Sequence, residues 1–158
     1  MEGNMEFMIA ADSDIEQLVQ MRMFYIFEHF KGATDTQIEK IQQQLPDYFE
    51  KHIGRDIIAF IAKEQNKVVA TAFLFIIEKP ANPRFVTGRI GEVLNVYTRK
   101  EYRRQGIAKC LMETLLAYSK EQKLDFVELK ATEDGYPLYK NLGFSDEKIS
   151  CASMKYVI

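Results

Sequence analysis

The chain has 158 residues, enough for a single domain whose core buries about two thirds of the unfolded surface. Apolar residues make up 47% and charged residues 28%, the balance of a soluble globular protein and not of a disordered or fibrous one. The formal charge of −2 supplies no general pull toward DNA, RNA or an anionic membrane, so any binding of anions has to come from a local cluster.

The opening stretch MEGNMEFMIA is acidic where a secretory leader is basic, and no apolar run approaches the roughly 20 residues that cross a bilayer. Both features imply a cytoplasmic protein without membrane contact. The two cysteines, Cys110 and Cys151, form no Cys-x-x-Cys pair and stand near no histidine at ligand spacing. They read as reduced core thiols, and no metal site is expected. Internal repeats, low-complexity segments and Pro/Gly/Ser-rich linkers are absent from the sequence.

In chain order, FMIAA from Phe7 is a short apolar strand, and SDIE from Ser13 to Glu16 has the spacing of a capping box with Ser13 as the cap. A helix is expected to follow over about 14–30. Its Ile15, Leu18, Val19, Met23, Ile26, Phe27 and Phe30 recur at three- and four-residue spacing, and Gly32 stops it. A second, more polar helix over about 36–51 contains Pro46 and reads either as one helix or as two short pieces. DIIAFIAKE and KVVATAFLFIIEK are rich in β-branched residues and are separated by Gln65-Asn66, which makes them an antiparallel hairpin.

After the loop KPANPR another strand, RIGEVLNVYT, starts at Arg89 and leads into a helix over about 105–121. That helix has one apolar stripe of Ile107, Leu111, Met112, Leu115 and Tyr118. DFVELKA then reads as a strand, DGYPLYKNLGF as a short helix stopped by Gly143, and CASMKYVI as a final strand. A three-strand meander followed by strand, helix, strand implies an α/β protein with a mixed sheet, in which the strands flanking the central helix run parallel.

The junction YRRQGIAKCLM (Tyr102–Met112) sets Arg103 and Arg104 at the start of that central helix, where the positive end of the helix dipole repels them. An anion placed between them removes the conflict, because a helix start also offers unpaired N–H groups and Gly106 lets a ligand approach the backbone. Solvated loop arginines are the competing explanation. The stretch is neither a P-loop, which needs a Gly-Lys-Ser/Thr ending, nor a dinucleotide fingerprint, which needs Gly-x-Gly-x-x-Gly.

RRQGIA resembles Arg/Gln-x-x-Gly-x-Gly/Ala, the acyl-CoA pyrophosphate loop of the GNAT superfamily of N-acyltransferases. VLNVYTRKEYRRQGIAKCLM is similar to that superfamily's fourth strand and third helix, and PLYKNLGF to its fourth helix with the Tyr-x-x-x-Gly-Phe ending. The order of elements agrees from about residue 7 to 157. The resemblance implies a mixed, mostly antiparallel central sheet of six to seven strands flanked by about four helices, with a splayed parallel pair at the cofactor site. It also implies one acetyltransferase domain over residues 1–158.

By that resemblance the amides of Arg104, Gln105, Gly106, Ile107, Ala108 and Lys109 hold the pyrophosphate of acetyl-CoA, and Arg103 and Arg104 add charge where they reach. The pantetheine arm pairs with the main chain of Leu94, Asn95 and Val96, where the family has a bulge, and the Val96 N–H faces the thioester carbonyl. Tyr139 matches the family's tyrosine acid, which protonates or hydrogen-bonds the leaving thiolate; a core aromatic on a short helix is the alternative. Removing a proton from an alkylammonium at pH 7 costs about 4.6 kcal/mol.

Glu92, fourteen residues before Gly106, stands where the histone-modifying branch has its glutamate base, and water with backbone carbonyls is the other route for the proton. In an unbroken strand Glu92 shares a face with Ile90, Leu94 and Val96, where burial would raise its pKa; a strand-end carboxylate paired with Arg89 is equally compatible with the sequence. Asn141 is a candidate for a hydrogen bond to the cofactor, or a surface helix residue. His29 and His52 have no partner at a meaningful spacing.

The expected acceptor is a primary amine in a pocket around Tyr25, Glu28, His29 and EKPANPRF, with its identity open. A non-catalytic acyl-CoA sensor of the same fold is the alternative, nucleic acid is not an expected partner, and a homodimer is left open.

Overall fold

The computed structural model describes residues 3–158. Strand β1 (Met5–Ile9) is followed by a 3-10 turn (Asp12–Asp14), α1 (Ile15–His29) and α2 (Asp35–His52). Next come β2 (Ile57–Glu64), β3 (Lys67–Glu78), β4 (Arg89–Thr98), α3 (Ile107–Glu121), β5 (Val127–Glu128) and α4 (Tyr136–Asn141). The sheet order is β1-β2-β3-β4-β5, with antiparallel neighbours except for the parallel pair β4 and β5. This is the expected α/β architecture, with five strands among the described residues in place of six to seven.

Strand β2 explains the two-layered packing. Its Ile57, Ala59 and Ile61 belong to one core with Leu18, Met21 and Ile26 of α1 and Phe49 of α2. Alternate residues Ile58, Phe60 and Ala62 belong to a second core with Ile107, Leu111, Met112 and Leu115 of α3 and Tyr139 of α4. A strand buried on both faces reads as a continuous apolar run, which is what DIIAFIAKE is. The hairpin turn between β2 and β3 has Gln65 at φ 49° and Asn66 at φ 65°, the two positive values that match the turn to the twist of its strands.

Several expectations need correction. Ser13 is exposed and caps nothing; buried Asp14 instead accepts from the Ala11 N–H at 2.9 Å and from the Lys63 ammonium of β2. Burial works against the Asp14 charge, but those bonds outweigh it and hold the carboxyl below its ordinary value. The second helix is one piece: Pro46 and Gln42, the residue whose carbonyl Pro46 deprives of a bond, are both exposed residues, where water can take the bond's place.

Phe27 and Phe30, placed in the α1 stripe by spacing, are more than half exposed, whereas Met21 is buried. Cys110 and Cys151 are exposed and not core thiols: Cys110 falls outside the α3 stripe, and Cys151 lies in the 149–158 segment. That segment forms no strand, since it makes no backbone hydrogen bond to the rest of the described residues.

The feature that shapes the site is in β4. Thr71 pairs with Tyr97 and Phe73 with Leu94, so Asn95 and Val96 together face the single residue Ala72. This is a bulge, and Asn95 adopts φ 51° to make it. The Asn95 side chain is 4% exposed and donates to the Thr71 hydroxyl at 3.0 Å, while that hydroxyl donates to the Asn95 carbonyl at 2.9 Å.

The extra residue moves Val96 to the α3 face while Leu94 stays on the α1 face, so the single stripe expected of an unbroken strand does not exist. We predict that Asn95→Ala destabilises the protein by about 2 kcal/mol in urea unfolding, through lost buried hydrogen bonds and left-handed strain. Asn95→Gly should recover the strain part alone, and equal losses for the two variants would remove strain from the account.

Candidate active site

Strand β5 pairs with β4 only at Gly91 with Val127 and Glu92 with Glu128. Beyond Glu92 the outer edge of β4 faces no strand among the described residues, so the parallel pair leaves an open edge, a cleft, at Leu94, Asn95 and Val96. The bulge at Asn95 and Val96 lies just beyond the last of those pairs, and an extra residue of this kind bends and twists the strand that carries it.

At the head of the cleft lies the start of α3. Gly106 caps it at φ 75°, a conformation that costs a side-chain-bearing residue energy, and a Cβ there would meet nothing within 4 Å. The first hydrogen bond into the helix runs from the Cys110 N–H to the Gly106 carbonyl at 3.1 Å. The amides of residues 104–109 therefore donate to no oxygen among the described residues, and no acidic side chain stands in the first turn. Buried Ile107 roots that turn in the core beneath, leaving its amides facing out. Unpaired donors at the positive end of a 15-residue helix make a site for an anion.

The two arginines divide their tasks. Arg103 is clamped in a bidentate pair, donating to the Glu28 carboxylate at 3.0 and 2.7 Å, and it also donates to the Thr98 carbonyl at 2.8 Å. Its guanidinium lies 5.3 Å from the centre of the Tyr97 ring. The Arg103 hydrogen bond holds the Glu28 carboxyl below its ordinary value, so Glu28 is committed to the cradle and is not a free attraction for an amine. Arg104, at φ 64°, is exposed and in no ion pair among the described residues, which leaves it as the cation available to a ligand.

Tyr139 projects from α4 into the second core and is 9% exposed. The Leu142-Gly143-Phe144 ending holds it: the Phe144 N–H donates to the Tyr139 carbonyl at 3.0 Å, and the two rings meet edge to face at 5.9 Å. The hydroxyl makes no hydrogen bond to protein, yet no buried polar side-chain atom among the described residues lacks a partner. It therefore opens on accessible space. Burial pushes its pKa up to about 12, with Tyr25 of α1 adding to the shift from across the site.

Glu92 is half-buried, in register with Phe75 on one side and Glu128 on the other. Among the described residues it pairs with no cation; Arg89 instead donates to the Gln122 carbonyl at 2.8 Å and lies 4.0 Å from Glu78. Asn141 is exposed and shares a shallow depression of about 360 Å³ with Lys109 and Glu113 of α3, beside the cradle.

On the other side of the cleft, His29 stacks on Tyr25 at 4.5 Å, and His52 meets Asp56 at 2.8 Å at the end of α2. Three contributors carry no motif and were missed: Thr71, which holds the bulge; Tyr97, which lies against Arg103; and Arg22. Arg22 donates to Asn95 Oδ1 at 3.2 Å, lies 5.4 Å from the Tyr25 ring, and is in no ion pair among the described residues. Burial lowers its pKa. The only signal for it was a cation one turn before Tyr25 on α1.

The Acetyltransferase (GNAT) family matches residues 19–144. No curated protein is similar enough in sequence to match the chain. Among solved structures, a protein described as a predicted acetyltransferase with acetyl-CoA, from Clostridium acetobutylicum, is 29% identical with a TM-score of 0.84, covering 96% of both chains. A GCN5-related N-acetyltransferase from Ralstonia eutropha is 25% identical with a TM-score of 0.80, covering 96% of this chain and 99% of that one. A Trypanosoma brucei acetyltransferase at 21% identity and a TM-score of 0.68, covering 98% of this chain and all of its own, shares the fold. With the family matched over most of its length, and with the free amides of α3 beside an opened β4 edge, this chain belongs to the GNAT acetyltransferase family.

Proposed function

We propose that the protein transfers the acetyl group of acetyl-CoA to a primary amine, which attacks the thioester directly. The observation that carries this reading is the run of unpaired amides at residues 104–109, continuous with the open edge of β4. A structural relative solved with acetyl-CoA supports the choice of ligand. Acetyl-CoA supplies an activated acetyl group and a leaving thiol; the remaining chemistry falls to the chain.

The amides 104–109 and Arg104 bind the pyrophosphate, and Lys109 and Asn141 stand beside that position. The free edge at Leu94, Asn95 and Val96 lines the pantetheine arm, and the Val96 N–H donates to the thioester oxygen as charge gathers there. The amine's nitrogen forms the new bond to the acetyl carbon, the carbon–sulfur bond breaks, and the sulfur takes the electron pair. Tyr139 donates its hydroxyl hydrogen to that sulfur. With a pKa of about 12 the phenol stays protonated at neutral pH, which suits a hydrogen-bond donor better than a full acid. The amine's proton leaves through Glu92 or through water along the cleft.

On the acceptor side, Arg22 is a guanidinium without a carboxylate partner, beside Tyr25 and the bulge. It favours an amine that also bears a carboxylate or phosphate, and Arg22→Met should then raise KM for such acceptors while leaving acetyl-CoA affinity unchanged.

Turnover with an amine panel tests the whole reading against a sensor of the same fold, which would bind acetyl-CoA tightly and acetylate nothing. Tyr139→Phe should lower kcat about 100-fold with little change in acetyl-CoA affinity. Because the Tyr139 pKa is raised above that of the unfolded chain, its stabilising contribution is complete below about pH 10 and is lost as pH rises toward 12. The wild-type rate should accordingly show no alkaline loss from this group below about pH 11. Gly106→Glu adds strain and a negative charge at the cradle and should weaken acetyl-CoA by at least about tenfold, measured by calorimetry; unchanged affinity would refute the cradle.

A further inference from the structure

Two opposite charges near the bulge have no partner among the described residues. Arg22 reaches from α1 to β4 and is half-buried, yet only Nη1 of its guanidinium is used, at 3.2 Å from Asn95 Oδ1. No carboxylate pairs with it. Glu92 is also half-buried and unpaired, and it is in register with Phe75, which packs on the core under α1 and α2. Directly opposed residues share a face of the sheet, so both charges belong to the same layer. A partly desolvated charge costs free energy until an opposite charge reaches it.

The two are set apart along the strand. From Glu92 to Asn95, which anchors Arg22, is three residues, about 10 Å of strand. An ammonium, a short carbon link and a carboxylate fill that interval with a hydrogen bond of about 2.8 Å at each end. The reacting position is close by. Asn95 precedes Val96, and the Tyr25 ring, whose centre is 5.4 Å from the Arg22 guanidinium, also acts on the charge of Tyr139. An anion on Arg22 therefore lies close to the carbon under attack, and the amine and anion of the acceptor are near neighbours in its skeleton.

A second donor comes from α2. The Tyr48 ring stacks on His52 at 4.4 Å, and His52 is fixed by Asp56 at 2.8 Å. The Tyr48 phenol and the Arg22 guanidinium act on each other's charge, which sets them in one cluster. Burial raises the Tyr48 pKa, with Asp56 adding and Arg22 opposing, so the phenol stays a donor at neutral pH. Half-buried Tyr25, Tyr48, Phe75 and Leu94 pack on the same core and supply an apolar wall.

We propose that the acceptor is a free amino acid with an apolar side chain, its carboxylate held by Arg22 and Tyr48 and its ammonium drawn to Glu92. This rests on the amine-acetylating reading above and narrows it. A zwitterion answers both charges and brings no net charge, whereas a phosphate dianion brings more negative charge than one guanidinium offsets. A protein lysine or a peptide N-terminus has no carboxylate next to its amine, and a polyamine has none at all, so each leaves Arg22 unanswered.

Free phenylalanine and leucine against their amides are the probes, since each pair differs only in the carboxylate. The amide's amine loses its proton more readily, so nucleophilicity alone favours the amide. On the native chain kcat/KM should nevertheless favour the acid by about 100-fold. Arg22→Met should abolish that preference and Arg22→Lys should restore part of it. Tyr48→Phe should raise KM for the acid about tenfold with kcat and acetyl-CoA affinity unchanged. Equal or better use of the amides, or a loss in Arg22→Met shared equally by acid and amide, would overturn the proposal. If the variants fail to fold, the comparison on the native chain decides. Failure of the acetyl-transfer reading looks different: a chain that acetylates nothing is titrated with the same probes by calorimetry in saturating CoA. Binding of the acids alone would keep the ligand class, and binding of neither, or of both alike, would overturn it.

Discussion

Asn95 and Val96 occupy the length of sheet that Ala72 occupies on β3, and the site follows from that mismatch. The extra residue has to be absorbed, and Asn95 absorbs it in a left-handed conformation that its buried amide secures against Thr71. The consequence is geometric: a bulge bends its strand, the parallel ladder stops after two pairs, and the β4 edge beyond it faces no strand among the described residues. The same amide group accepts from Arg22, so the residue that forms the bulge also anchors a cation of α1 beside Tyr25.

The second requirement is electrostatic. A helix start with free amides and a positive dipole end repels neighbouring cations, and this chain places two arginines there. Arg103 resolves its share internally through the bidentate Glu28 pair, which also ties α1 to the cradle. Arg104 has no such partner among the described residues and leaves its charge exposed. The cradle is therefore positive but not excessively so, and the chain as a whole stays slightly acidic. A local cation cluster on an acidic protein favours a compact anion at one place over a charge attraction spread along the surface.

Tyr139 shows how packing sets the state of a phenol. The Leu-Gly-Phe ending locks its ring into the core, burial keeps the phenol neutral, and the hydroxyl alone reaches open space. Tyr139 itself lines the groove between β5 and α4, beside Leu142 and Phe144.

Local patterns determined much of this protein. Continuous apolar runs in β2 and β3, the Gln65-Asn66 turn, the α3 stripe and the glycine at 106 each act over a few residues, where steric and hydrogen-bonding rules suffice. They made the α/β order and the parallel pair legible in the sequence. Tertiary structure alone decided the rest, because the deciding partners are far apart in the chain. Lys63 claims Asp14 from 49 residues away and removes the cap expected at Ser13; Glu28 claims Arg103 across 75 residues; Arg22 reaches Asn95 across 73. The final strand failed for the same reason: an alternating pattern states that a segment can pair, but only the available sheet edge determines with what.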